Sequence, residues 1–247
     1  MTESRSQRSH RPRMKIIACA TVIEELTPLL PPHVVCQELD FGLHVRPDAL
    51  KEMLQDEIDA TPASTETIAL GYGLCSQAVV GLRSDTSTLV VPRVDDCIGI
   101  FLGSDRAYKE QASSTPGTYY LTKGWIEAGN GPFAEYEDLV ARYGEERAAW
   151  LMRRMLNHYT RLALINTGQY GMEAYRAYAR RTAERFGLRY EEIPGSTALL
   201  KKLVHGPWDE DFIVVPPGET ITFPMFREMA SSEGGETDNR KNRKEKE

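Results

Sequence analysis

Thr67-Ile68-Ala69-Leu70-Gly71-Tyr72-Gly73-Leu74-Cys75 begins as an unbroken apolar run and ends in a glycine-flanked turn that delivers a cysteine. A continuous rather than alternating run is the mark of a strand covered on both faces. Upstream, Lys15–Ala20 repeats the pattern, with Cys19 at its end, and a helical stretch over Glu24–Leu30 follows. His33–Leu39 is another apolar run with β-branched residues. Pro47, Ala49, Leu50, Met53, Leu54 and Ile58 then fall at helical spacing, with proline at the first turn, where its missing N–H is tolerated. Downstream, Thr88–Pro92 is a fourth strand stopped by proline. Strands separated by helices predict an α/β fold: a mostly parallel sheet with helices on both faces.

The second half repeats the alternation less strictly. Strands are predicted at Gly117–Thr122, Leu162–Ile165, Leu188–Ile193 and Phe212–Val215. One long helix is expected to carry Tyr136, Leu139, Val140, Tyr143, Leu151, Met152, Met155, Leu156 and Tyr159 on a single stripe. Met172–Phe186 is a helix stopped by Gly187, and Ser196–Val204 a helix inside a strand–helix–strand unit. The chain can be two similar α/β halves sharing one sheet, or two abutting lobes.

The 247 residues suit a single α/β domain, expected over 14–230. A polar leader over 1–13 and a charged tail over 231–247 bury too little apolar surface to offset chain entropy, so both are expected to be disordered. The formal net charge of -6 argues against a nucleic-acid partner. No apolar run is long enough for a membrane span, and the N-terminus lacks the apolar core of a signal peptide, which predicts a cytoplasmic protein without a membrane partner. In that setting four cysteines read as thiols, ligands or nucleophiles rather than as disulfides.

Cys19, Cys75 and Cys97 each follow a predicted strand. Parallel strands bring their carboxyl ends to one edge, where α/β folds bind ligands. Three thiolates there suit zinc with one open position, or three irons of a [4Fe-4S] cluster with one iron left for substrate. The competing reading makes each cysteine a small buried hydrophobe. Cys36, in mid-strand, reads as core. His44, in the loop before a helix, reaches the same edge as a fourth ligand or proton carrier, and Asp96 is a base or orienting group. Asp95 and Arg93 flank it, with an Asx turn and an ion pair as the plainer reading. Gly71, Tyr72 and Gly73 let backbone approach a cofactor closely, and Gly103-Ser104 can receive an anion. Tyr119, Tyr120 and Trp125 are packing residues or pocket walls. Dinucleotide, Walker-type and nucleophile-elbow motifs are absent, which disfavours the common nucleotide enzymes.

Gly71-Tyr72-Gly73-Leu74-Cys75, Pro92-Arg93 before Asp96-Cys97, Leu102-Gly103-Ser104, Gly117-Thr118-Tyr119-Tyr120, Gly124-Trp125 and Pro216-Pro217-Gly218 together resemble the domain-of-unknown-function family 1638, over roughly Lys15 to Glu219. Members of that family are common in anaerobes and methylotrophs and are often encoded beside corrinoid-dependent methyltransferases. The resemblance therefore implies a tie to methyl or one-carbon transfer, with a corrinoid, a corrinoid protein or a methyltransferase as possible cofactor or partner, and no mechanism. Members often carry histidine before the Asp-Cys pair. Asp95 stands there in this chain, so a metal site relying on that histidine does not carry over, whereas the three cysteines do. The expectations are a metal-dependent enzyme acting on a small molecule, or a non-catalytic metal- or corrinoid-binding accessory of a methyltransferase.

Overall fold

A computed structural model describes residues 13–227 apart from residue 130. The expected leader, save for Arg13, and the expected tail lie outside the described residues. The strands are β1 (Met14–Cys19), β2 (Val35–Leu39), β3 (Thr67–Gly71), β4 (Thr88–Pro92), β5 (Thr118–Leu121), β6 (Arg161–Asn166), β7 (Arg189–Pro194) and β8 (Phe212–Val215). The helices are α1 (Ala20–Leu26), α2 (Pro47–Asp59), α3 (Cys97–Leu102), α4 (Asp105–Ser114), α5 (Lys123–Ala128), α6 (Tyr136–Tyr143), α7 (Glu145–Met155), α8 (Glu173–Phe186) and α9 (Ala198–His205).

The strands form two sheets. One runs in the order β2-β1-β3-β4-β8, the other β5-β6-β7. All pairs are parallel except β4 with β8. Every residue of β3 is buried, as its unbroken apolar run requires. Helices cover both faces of the first sheet. Lys15 of β1 reaches across one face to Glu57 and Thr61, beside or within α2. Ala18, three residues on and so on the other face, lies under Val22 of α1, where a Cβ on the neighbouring Gly71 would meet both. The right-handed crossover rule produces this placement, since the chain steps from β1 out to β2 and then back past β1 to β3.

The two sheets are separate, so the half-and-half arrangement is of abutting lobes. One cluster of buried side chains joins them, with Tyr120, Ala163, Ile165 and Ile193 of the second sheet packed among first-sheet residues. Three expectations are corrected. The predicted strand–helix–strand unit does not close within one sheet: after β7 and α9 the chain returns to the first sheet as β8, antiparallel to β4, with Val90 opposite Val214. The predicted long helix is two helices, because Gly144 between α6 and α7 sits at φ 79, outside the helical region. Cys36 is half-buried on the edge strand β2 rather than deep in the core.

Candidate functional site

Strand order in the first sheet reverses between β1 and β3, and such a switch point opens a crevice at the carboxyl ends of the strands. Cys19 closes β1 and stands one residue before α1, its Sγ 3.2 Å from the Thr21 hydroxyl. Beyond β3, Tyr72 is 1% exposed. Gly73 then passes so close to the next loop that a Cβ there would lie 2.6 Å from the Val94 carbonyl oxygen. That approach lets Leu74 N–H donate to Val94 O at 2.8 Å and Cys75 N–H donate to Asp95 O at 2.9 Å. Cys75 and Gln77 both take positive φ, 44 and 69, which is strained for side-chain-bearing residues. Strain of this sort collects where the surrounding structure fixes a functional geometry, and here it fixes a cysteine. Beyond β4, Asp96 Oδ1 accepts from Ile98 N–H at 2.8 Å and caps α3, whose first residue is Cys97.

The three thiols therefore gather at one edge, and their electrostatics register it. Burial pushes Cys19, Cys75 and Cys97 above the ordinary thiol range. Cys19 raises the other two further, and Cys75 raises Cys97. Burial also pushes the Asp96 carboxyl up and holds His44 toward its neutral form.

Cys75, Cys97, Asp95 and Asp96 form one side of a cavity of about 270 Å³. Phe41, His44 and Trp125 form the other. Phe41 and His44 come from the short 3-10 helix Phe41–Val45, which Asp40 opens by accepting from Gly42 N–H at 2.7 Å. Trp125 comes from α5, beyond β5, whose cap Thr122 accepts from Trp125 N–H at 3.2 Å. The second sheet is thus held with its carboxyl edge facing the first, and α5 lies on α1 at Gly124 and Thr21. The Phe41 ring is 5.2 Å from His44 and 5.8 Å, edge-on, from Trp125. No lysine or arginine is among the described residues that line the cavity. His44 Nε2, Tyr72 OH and Trp125 Nε1 are buried with no hydrogen-bond partner among the described residues. A buried polar group left unsatisfied costs about 1–3 kcal/mol, so His44 and Trp125 bring to the cavity ring nitrogens that water or a bound group can complete.

The donor set can be tested against the expected metals. A single zinc needs its sulfurs about 2.3 Å from one point. Among the described residues no three His, Cys, Asp or Glu side chains are grouped to hold one metal ion. An iron–sulfur cluster binds each thiolate at a separate iron and lets the sulfurs stand further apart. Three thiols on separate segments offer an iron–sulfur cluster the donor type it takes, whereas a single ion would need them drawn to one point.

Of the expected site residues, Cys75, Cys97, His44 and Asp96 line the cavity, and Cys19 and Tyr72 lie beneath it, within electrostatic reach of the other thiols. Gly71 serves sheet packing, since a Cβ there would lie 2.5 Å from Ala18 Cβ. Gly103 and Ser104 stand apart from the cavity: Gly103 ends α3 at φ 88 against Ser196, and the Ser104 hydroxyl caps α4 by accepting from Ala107 N–H. Sequence reading missed Phe41 and Thr21. Phe41 lies in a short turn without periodicity, and Thr21 is marked only by its place two residues after Cys19.

The family model described as "Protein of unknown function (DUF1638)" matches residues 38–204, more than half of the chain. No curated protein and no solved structure matches it.

Proposed function

The chain belongs to the DUF1638 family of proteins of unknown function, and from that footing we propose that it is an enzyme of small-molecule metabolism whose Cys19, Cys75 and Cys97 hold an iron–sulfur cluster. The carrying observation is that Cys19, Cys75 and Cys97, from three separate strand ends, meet at a sheet switch point, with Cys75 and Cys97 lining a cavity that has no lysine or arginine among its described lining residues. Bound metal would replace three thiol protons and neutralise the thiolate charge that burial alone disfavours. Such a centre supplies electrons or an open coordination position. Around it, His44 and Trp125 offer unpartnered ring nitrogens to a small molecule in the cavity. Asp96, its carboxyl pushed up by burial, is placed to hold or give a proton there. Free thiols at such a site fit a reducing, cytoplasmic setting. Methyl or one-carbon transfer is the reaction class the family's gene neighbourhoods favour.

The test is iron, zinc and acid-labile sulfide analysis with an absorption spectrum, on protein purified without oxygen, for the wild type, Cys75→Ala and Cys36→Ala. Iron and sulfide in the wild type and Cys36→Ala, lost in Cys75→Ala, is the expected result. Stoichiometric zinc without sulfide would keep the ligands and correct the metal. A metal-free wild type that resists reconstitution would sink the proposal. Turnover of methylated substrates by the loaded protein then separates an enzyme from a metal- or corrinoid-binding accessory of a methyltransferase.

A further inference from the structure

Two carboxylates, Asp95 and Asp96, border the cavity at the thiol edge, and no lysine or arginine is among its described lining residues. Beyond Asp95 lies a second cavity, which Asp95 also borders and which Arg93, Arg106, Lys109 and Arg227 line. Each of these cations is engaged elsewhere. Arg106 pairs with Glu110 at 2.8 Å and Lys109 with Asp105 at 2.5 Å. Arg93 donates to the carbonyl oxygens of Met225 and Phe212, and Arg227 lies over the Phe223 ring. Asp95 is exposed and takes part in no ion pair among the described residues. An exposed carboxylate without a countercharge repels an anionic ligand from the cavity and attracts a cation.

The opposite wall is aromatic. Phe41 and Trp125 both line the cavity, their ring centroids 5.8 Å apart and their planes at 65°. Rings crossed this steeply enclose a corner that shows one face of each. A small cation standing there lies within about 6 Å of both centroids, the range in which a ring quadrupole attracts positive charge. The His44 ring, 5.2 Å from Phe41, extends this wall, and burial holds it toward its neutral form. At about 270 Å³ the cavity falls below the roughly 300 Å³ where pockets for drug-sized ligands begin, so its occupant is small.

We propose that this corner binds a small alkylated ammonium ion, its charge against the faces of Phe41 and Trp125 and balanced by Asp95. The unpartnered Trp125 Nε1 and His44 Nε2 lie at ring edges and are left for a hydroxyl or carbonyl oxygen of the same molecule. Alkyl groups suit the site better than a bare ammonium, which is strongly hydrated and gives up its water reluctantly. The proposal names a substrate class for the small-molecule site described above and rests on that reading of the cavity, but it does not need the metal.

The experiment is isothermal titration calorimetry on protein purified without oxygen, with iron, zinc and sulfide counted on the same preparation. The probes are choline, tetramethylammonium, the neutral isostere of choline in which carbon replaces nitrogen, and acetate. Both cations should bind, and the isostere should bind about tenfold more weakly or worse, as loss of a desolvated cation–π contact predicts. Asp95→Asn keeps the backbone carbonyl that holds Cys75 N–H and should weaken choline binding several-fold. Glu52→Gln makes the same charge change on an exposed α2 residue outside the cavity and should leave binding unchanged. Phe41→Leu, its fold checked by circular dichroism, should narrow the preference for choline over the isostere. Equal affinity for choline and its isostere would overturn the proposal, as would binding of acetate in place of the cations, wild-type affinity in Asp95→Asn, or no heat with either cation. Cation binding by protein that proves metal-free would keep the proposal and end the cluster reading. Metal-loaded protein that binds neither cation would do the reverse.

Discussion

The N–H of Cys75 donates to the carbonyl oxygen of Asp95 at 2.9 Å, so the loop carrying one thiol is fastened to the loop carrying another. The fastening depends on Gly73, whose missing side chain leaves room for the Val94 carbonyl. In Gly73→Ala the new Cβ would stand 2.6 Å from that oxygen and 2.9 Å from Asp96 N, both backbone atoms that cannot swing aside. The loops must part, moving Cys75 away from Cys97. The expected loss is about 1–3 kcal/mol in urea unfolding of the metal-free protein, as for other overpacked sites. Metal content should fall with it. A Gly73→Ala protein of wild-type stability and full metal content would show that the close approach does not position the thiols.

Glu25 ties the two lobes. Its carboxylate accepts from the Thr167 hydroxyl at 2.9 Å and from the Gln169 amide, yet it is only 4% exposed and no lysine or arginine pairs with it among the described residues. Burial outweighs these bonds and raises its pKa above the ordinary 4.5. Above pH 4.5 the unfolded chain therefore gives up this proton before the folded chain does, and stability falls as pH rises through the folded value. Glu25→Gln keeps an acceptor for Gln169 and removes the titration. Its unfolding free energy should lie at or above the wild type's at pH 7, and the gap should close as pH approaches 4.5. Urea titrations at several pH values read this directly. A gap that widened toward acid would show the carboxylate to be a net stabiliser.

The thiol edge was legible because strands buried on both faces announce themselves. β3, β4 and β8 have the predicted bounds, Thr67–Gly71, Thr88–Pro92 and Phe212–Val215. Where Phe212–Val215 goes was not legible, since its apolar side chains would suit either sheet and only the long-range packing against Val90 selects the first. The stripe from Tyr136 to Tyr159 runs across Gly144 without a break in period, so the pattern gave no sign of the positive φ that divides the helix. In the site itself, cysteines at strand ends can be read from one sequence. Phe41 and the Trp125 face of the cavity come together only when the second sheet docks on the first, and sequence periodicity does not encode that.

Docking has a measurable consequence at Phe41. Its ring spans from His44 in one lobe to Trp125 in the other, beside the cavity that exposes Cys75 and Cys97. In the metal-free protein Phe41→Ala should widen that cavity and speed alkylation of those thiols by iodoacetamide several-fold, read by peptide mass spectrometry. Cys36, near the far end of β2 and not among the residues lining the cavity, should react at an unchanged rate and serves as the internal control. The half-buried ring should cost about 1–2 kcal/mol of stability, below the 3–5 of a fully buried phenylalanine. Equal acceleration at Cys36 would point to general loosening instead.

Alkaline pH separates buried thiols from exposed ones. The thiols of the unfolded chain ionise near 9.0, whereas burial and mutual repulsion keep Cys97 and Cys75 protonated well above that in the fold. Above pH 9.0 the unfolded state thus binds fewer protons than the folded state, and metal-free protein should lose stability as pH rises. Each thiol contributes at most about 1.36 kcal/mol per pH unit. Cys97→Ala removes one such group, so between pH 8 and 10 its unfolding midpoint should fall less steeply than the wild type's, even if it starts lower. Parallel slopes would mean that Cys97 ionises in the fold as easily as out of it. That would remove the cost of forming thiolates there, which a bound metal centre is proposed to offset.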